Sequence, residues 1–380
     1  MEAVRNTDRE TRCTQALRLH EESGDRQAMA LDCYQLGTVY QDGGHLDLAV
    51  AMFRRALVLC EAIKDQQGVA AAYTRLGLLH EMKGDMGQAL FFLGEAQSRH
   101  EALADVRGLA ADIGYLGFVH FQLGEYDDAE NCYREALALN EQTSATAKQA
   151  EDLANLGNLF NILGRGEEAE EAFHKALVLY EQAADPRGMG GTYRSLGNMW
   201  LQRGDTEQAR QLLELSLSLN RQAGYDLGEG LALDSLGSIC ERDGQLDAAR
   251  THYEQAHAAI VVTGHPKHMA QAHGRLGALL LRVDESDCAR DHLERAVELS
   301  RQQHDAANTA RWSKRLADAV MKSEGDLQRA RQLYDDAMRY FHEAGDMKGE
   351  AQVYVGMGNL EARQGQNTQA VAMWTAATEC

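Results

Sequence analysis

Proline is almost missing from this 380-residue chain, which holds only two, and aromatic residues make up just 6% of it. With so few helix breakers, and with Ala, Leu, Glu, Gln and Arg abundant, the chain is expected to be almost wholly helical. Long apolar runs are missing too. No stretch approaches the ~18 consecutive apolar residues of a membrane span, and residues 1–20 are charged throughout with no secretory core. These absences predict a cytoplasmic protein with no membrane insertion.

Cysteine is present but unpatterned. Cys13, Cys33, Cys60, Cys132, Cys240, Cys288 and Cys380 show no Cys-x-x-Cys spacing, which argues against a zinc framework or a disulfide scaffold and leaves them as small buried hydrophobes. Positive charge is short as well: 38 basic against 58 acidic residues give a net charge of -20. That balance disfavours nucleic acid and anionic lipid, because each phosphate contact needs local positive charge. Hydrolytic triads, Gly-x-Gly-x-x-Gly loops and Gly-Lys-Ser/Thr loops are absent. No enzymatic activity and no cofactor are expected.

What the chain has is a repeat. At a shift of forty residues Leu36-Gly37 falls on Leu76-Gly77, then on the pairs at Gly117, Gly157, Gly197, Gly237 and Gly277. Leu316-Ala317 continues the series and, after a one-residue insertion near Ser323, so does Met357-Gly358. The same period carries Gly44, Ala49 and Ala56. Within one unit Ala30, Cys33, Leu36, Gly37 and Tyr40 form the stripe of a first helix, A; after the breaker Gly44, residues Leu46, Ala49, Phe53, Ala56 and Cys60 form the stripe of a second, B. Two short helices with a brief link lie antiparallel, and Gly37, Ala49 and Ala56 are small enough to let them close. One pair cannot bury its apolar faces alone, so pairs must stack into a solenoid.

The joints carry their own marks. Asp25, Asp65, Asp105, Asp185, Asp305 and Asp346 stand where an N-cap of helix A belongs, and Pro186 and Pro266 stand at the first helical position, where a missing N–H costs nothing. Cys13 and Ala16 match Phe53 and Ala56 one period on. The expected organisation is therefore a single helix over residues 1–22, then nine helix pairs over residues 25–380 in one continuous array. The last B helix has no polar cap after it, so it either caps itself or belongs to a longer protein.

The pattern Leu36, Gly37, Tyr40, Gly44, Ala49, Phe53 and Ala56 resembles the tetratricopeptide repeat (TPR). That resemblance implies an all-α, right-handed superhelical solenoid whose inner wall, lined by A helices, holds a protein or peptide partner. Forty-residue units with Asp-x-x-Gly joints, as at Asp65 to Gly68 and Asp185 to Gly188, are similar to those of Pins-type spindle-orientation adaptors. In that subfamily an Asn after Leu-Gly holds an extended peptide backbone. Here Asn158, Asn198 and Asn359 occupy that place, while Thr38, Leu78, Phe118, Ser238, Ala278 and Asp318 fill it elsewhere.

Under this resemblance, positions flanking the A-helix stripe form the groove. Toward the N-terminus they supply Tyr34, Leu78, Met82, Tyr115, Phe118, Phe121 and Ile162, an apolar run. Toward the C-terminus they supply Arg242, Arg275, Arg282, Arg311, Lys314, Arg315, Lys322 and Arg363 against Asp234, Glu241 and Asp318. A partner segment with an apolar anchor at one end and acidic residues at the other would be complementary. Met82 and Phe121 have a second reading as padding between stacked pairs. Arg194, Asn198 and Arg275 occupy three positions of a chaperone-binding carboxylate clamp, but Ser235 and Gln271 replace two others. For metals, His265, His268 and His273 form the one sequence cluster, beside His80 and His120, and their spacing completes no ligand set. Two further functions stay open beside the adaptor: a sensor or docking module of a larger signalling protein, and a homo-oligomeric scaffold assembled through its repeat ends.

Overall fold

The computed structural model describes residues 2–323 and 325–379, with side chains from residue 8 onward. Among the described residues all regular structure is helical, in nineteen helices. The first is α1 (Glu2–Ser23), alone, as the half-period match at Cys13 predicts. Nine pairs follow: α2 (Arg26–Asp42) with α3 (Leu46–Ile63), α4 (Gln66–Met82) with α5 (Met86–Ala102), and α6 (Val106–Leu123) with α7 (Tyr126–Gln142). Next come α8 (Thr146–Ile162) with α9 (Gly166–Gln182), α10 (Pro186–Arg203) with α11 (Thr206–Gln222), and α12 (Asp226–Arg242) with α13 (Leu246–Thr263). The last three are α14 (Pro266–Arg282) with α15 (Ser286–Gln302), α16 (Ala306–Ser323) with α17 (Leu327–Ala344), and α18 (Met347–Arg363) with α19 (Asn367–Glu379). The chain divides into two compact units, residues 1–228 and 229–380.

In both units the pairs close by the same contact. The glycine of each A helix lies against the residue sixteen positions on in its B helix: Gly37 against Phe53, Gly117 against Tyr133, Gly237 against Tyr253, Gly277 against Leu293. Phe53, Tyr133 and Tyr253 are at most 1% exposed. Burying a ring of that size contributes about 2–3 kcal/mol, and a side chain on the glycine would hold the two helices apart. Ala317, which replaces the glycine in the eighth pair, is fully buried too.

All six predicted aspartate caps form. Asp25 accepts a hydrogen bond from the backbone N–H of Ala28, Asp65 from Gly68, Asp105 from Gly108, Asp185 from Arg187 and Gly188, Asp305 from Asn308, and Asp346 from Gly349. Pro186 and Pro266 begin their helices. The glycine of the Asp-x-x-Gly joint has a packing reason beyond the cap: at Gly188 and Gly349 the preceding B helix sets the rings of Tyr180 and Phe341 where a Cβ would stand. Cysteine departs from expectation at one place. Cys33, Cys60 and Cys240 are buried and Cys13 and Cys132 partly so, but Cys288 is exposed; Cys380 lies outside the described residues.

Candidate binding site

In the C-terminal unit Arg275, Arg311, Lys314 and Arg315 line one cavity of about 440 Å³, together with Lys348, Trp312, Phe341, Glu241 and Asp346. The A helices α14, α16 and α18 supply the basic groups. Arg311, Lys314 and Arg315 share one face of α16 because they are spaced by three and four residues. Five basic residues against two acidic ones give this wall a positive field inside an acidic chain.

The cations differ in how they are held. Arg275 is half-buried; burial opposes its charge, but the Asp234 carboxylate 3.1 Å away, with Tyr253 and Glu241, outweighs that and raises its pKa. Lys314 donates to Asp318 at 2.8 Å, and the buried Tyr334 hydroxyl fixes the other Asp318 oxygen at 2.6 Å. Among the described residues Arg311 donates to the side-chain oxygen of Asn308 and stands 5.6 Å from the ring of Trp312. Among the described residues Arg315 and Lys348 have no ion-pair partner.

The other expected basic residues sit differently. Arg282 donates to Glu241 at 2.6 Å, Lys322 to Asp284 at 2.8 Å, and Arg363 to the Met321 carbonyl, each tied to the neighbouring pair. Arg242 is exposed near the end of α12. The clamp reading loses Arg275, because Gln271 and Arg275 both turn to Asp234. Asn359 is exposed on α18.

In the N-terminal unit the apolar positions split into two kinds. Tyr34 packs edge-on against Phe53 and accepts a hydrogen bond from Arg75 at 2.8 Å; Met82 accepts one from Gln41; Phe121 packs edge-on against Tyr126. Leu78 is half-buried, and Tyr115 is half-buried under the Lys148 ammonium. Met82 and Tyr34 reach the neighbouring A helix through Gln41 and Arg75, whereas the Phe121 contact lies within its own pair. Phe118 and Ile162 remain 37% and 52% exposed. Asn158, Asn198 and Arg194 are half-buried on their A helices.

Sequence reasoning missed Lys348. It lies in the Asp346-to-Gly349 joint, in the first turn of α18, where the readable signal is a basic residue recurring at the same place in Arg107, Arg187 and Lys267. The histidines also fall out differently. His80 is buried against Phe92, with burial lowering its pKa, and His120 bonds Glu125 at 2.6 Å. His265 and His268 stand beside each other, whereas His273 turns to other partners.

Comparison with known proteins supports this fold. The tetratricopeptide repeat model matches residues 26–102, 109–182, 145–222 and 188–260, and that of the soluble NSF attachment protein, SNAP, matches residues 266–379. No curated protein matches the chain. Among solved structures, a signal transduction ATPase with numerous domains (STAND) carrying a tetratricopeptide repeat sensor, from Pyrococcus horikoshii, is similar at 14% identity with a TM-score of 0.61. The alignment covers 87% of this chain and 52% of that one, so this chain spans about half of the Pyrococcus protein. The apo quorum sensor NprR from B. thuringiensis is similar at 12% identity, TM-score 0.59, over 95% of this chain and 99% of that one. A Rap protein complexed with Competence and Sporulation Factor is similar at 14% identity, TM-score 0.55, over 89% and 99%. Identities this low speak for the fold, and the repeat model matching more than half of the residues speaks for the family: the chain belongs to the tetratricopeptide repeat proteins.

Proposed function

We propose that this chain is a protein-interaction adaptor, cytoplasmic and non-catalytic, whose cavity on α14, α16 and α18 takes up an acidic peptide or an acidic segment of a partner protein. The observation that carries the reading is the gathering of Arg311, Arg315 and Lys348 in one cavity of a protein with a net charge of -20. Like charges so placed repel each other and are not a requirement of helix packing, and an incoming carboxylate relieves that repulsion. Trp312 and Phe341 give the cavity an apolar wall, so an acidic segment carrying one apolar side chain fits better than a purely charged one. Exposed Phe118 and Ile162 in the N-terminal unit are offered as a separate apolar contact. The Asp-x-x-Gly joints favour an adaptor of the Pins type.

The test is fluorescence anisotropy with a short labelled peptide bearing several Asp around one Phe, and a control in which Asn replaces Asp. Binding of the acidic peptide alone, weakened by salt and by Arg315→Glu with Lys348→Glu, supports the reading. Equal binding of both peptides, or of neither, overturns it. A second reading, a sensor module that responds to a peptide, is favoured by the similarity of fold to the quorum sensor NprR and to the Rap protein solved with its factor.

A further inference from the structure

Three histidines meet in the C-terminal unit, one from each of three successive helices: His257 of α13, His273 of α14 and His292 of α15. His257 Nε2 lies 3.3 Å from His273 Nε2, and His273 Nδ1 lies 3.0 Å from His292 Nδ1. With one nitrogen taken from each ring, the three atoms all fall within 4.8 Å of one another. We propose that His257, His273 and His292 form a metal-ion site for a first-row divalent cation of the Zn²⁺ type, with its fourth position open to the adjoining cavity.

The repeat supplies the first argument. Every forty residues these three positions are mostly apolar: Leu177, Leu217 and Val297 correspond to His257, Tyr193 and Leu233 to His273, and Ala172 and Leu212 to His292, while Ser313 stands at the His273 place and His252 at the His292 place. Packing at these places is met by hydrophobes in most units. Departures at three positions of one seam, converging on one point, ask for a different cause.

Distances supply the second. With Zn–N bonds of about 2.0–2.1 Å, a tetrahedral ion separates its nitrogen ligands by about 3.3 Å. The 3.3 Å between His257 Nε2 and His273 Nε2 matches that edge. The 3.0 Å contact to His292 uses the other His273 nitrogen, so the common site rests on the one nitrogen per ring that lies within 4.8 Å of the others, and binding one ion requires the rings to turn toward it.

Access supplies the third. The adjoining cavity, about 320 Å³, is lined by His257, His292, Glu254, Glu285 and the exposed Cys288. It offers an entry path and a place for water on the ion.

The test uses the untagged full chain, stripped with a chelator and titrated with Zn²⁺ against a chromophoric zinc indicator. The expected result is one tight equivalent and a rise in thermal midpoint with Zn²⁺. His257→Leu, His273→Leu and His292→Leu each restore the residue type of the repeat, so each should fold. Each should lose more affinity than the roughly 10- to 100-fold that outer-shell changes cost. His304→Ala, away from the cluster, should bind as the parent does. Absence of stoichiometric Zn²⁺ binding in the parent chain, or binding that survives His273→Leu, overturns the proposal.

Discussion

The ring of Phe173 packs against Gly157, so close that a Cβ added there would stand 2.7 Å from two ring carbons. A side chain at Gly157 forces the buried Phe173 ring, or the spacing of α8 and α9, to shift. Gly157→Leu should therefore lower unfolding stability by roughly 1–3 kcal/mol. Gly191, also inside a helix, meets nothing within 4 Å. Gly191→Ala should be neutral or stabilise by up to about 1 kcal/mol, since alanine is the better helix former. Urea unfolding of the two variants side by side separates the packing effect from helix propensity.

The joints between pairs hold backbone strain that can be relieved. Ala184 has a φ of 51° and Ala104 a φ of 52°, where the corresponding joints use Gly24, Gly224, Gly264 and Gly345. A left-handed conformation costs a non-glycine residue about 1–2 kcal/mol, partly offset by the extra freedom glycine brings to the unfolded chain. Ala184→Gly should raise stability by roughly 0.5–1 kcal/mol. Adding Ala104→Gly should contribute independently, because the two share no partner.

Asp152 makes stability depend on pH. Its counterpart one period earlier, Asp112, faces His100 at 2.5 Å, but Asp152 faces the neutral amide of Asn140 at 2.7 Å. Burial raises the Asp152 pKa to about 7, only partly opposed by the Asn140 hydrogen bond. The folded value lies above the unfolded one of about 3.9, so this carboxyl stabilises most as the neutral acid below that value and loses the effect as pH rises through about 7. Asp152→Asn should remove that loss. Measured from pH 5 to pH 8, the variant should gain on the parent by a few kcal/mol at most, and the difference should grow with pH. A constant difference would place the cause elsewhere.

Binding kinetics should distinguish the two faces. Arg315→Glu with Lys348→Glu should slow association with an acidic partner and flatten its salt dependence, because these groups act before contact. Arg282→Glu, which also breaks the 2.6 Å pair with Glu241, should cost stability as well as affinity. Phe118→Ala should speed dissociation by roughly 1–2 kcal/mol if that ring is an anchor, and leave the association rate alone. Surface plasmon resonance over a salt series reads the binding effects, and urea unfolding of Arg282→Glu reads the loss of stability.

Much of the fold was legible because one residue type repeats for one physical reason. The Leu-Gly series located the A helices, and the aspartates and two prolines marked where they start. The site was harder to read. Lys348 was hidden because helix periodicity ranks wall positions and says nothing of a joint residue that points into a cavity. The three histidines lie sixteen and nineteen residues apart on separate helices, so spacing alone cannot join them, and their replacement of mostly apolar repeat residues is a weak mark that His252 shares. Partners on the A-helix wall were readable in principle. Tyr34 with Arg75, Gln41 with Met82, and Glu241 with Arg282 are all one period plus one residue apart. That offset carries each side chain to its neighbour on the next A helix.

The left-handed residue followed by a capping aspartate gives the chain a property of its gene as well as of its fold. Lys64 and Ala104 both adopt that conformation, and Asp65 and Asp105 both cap the helix that follows. Excising residues 65–104 would join Lys64 to Asp105 and recreate a joint of the kind already there, with no new backbone geometry to accommodate. Unequal recombination at such points changes the number of units without inventing a junction, so the length of this array is free to drift while the chemistry of each unit is kept.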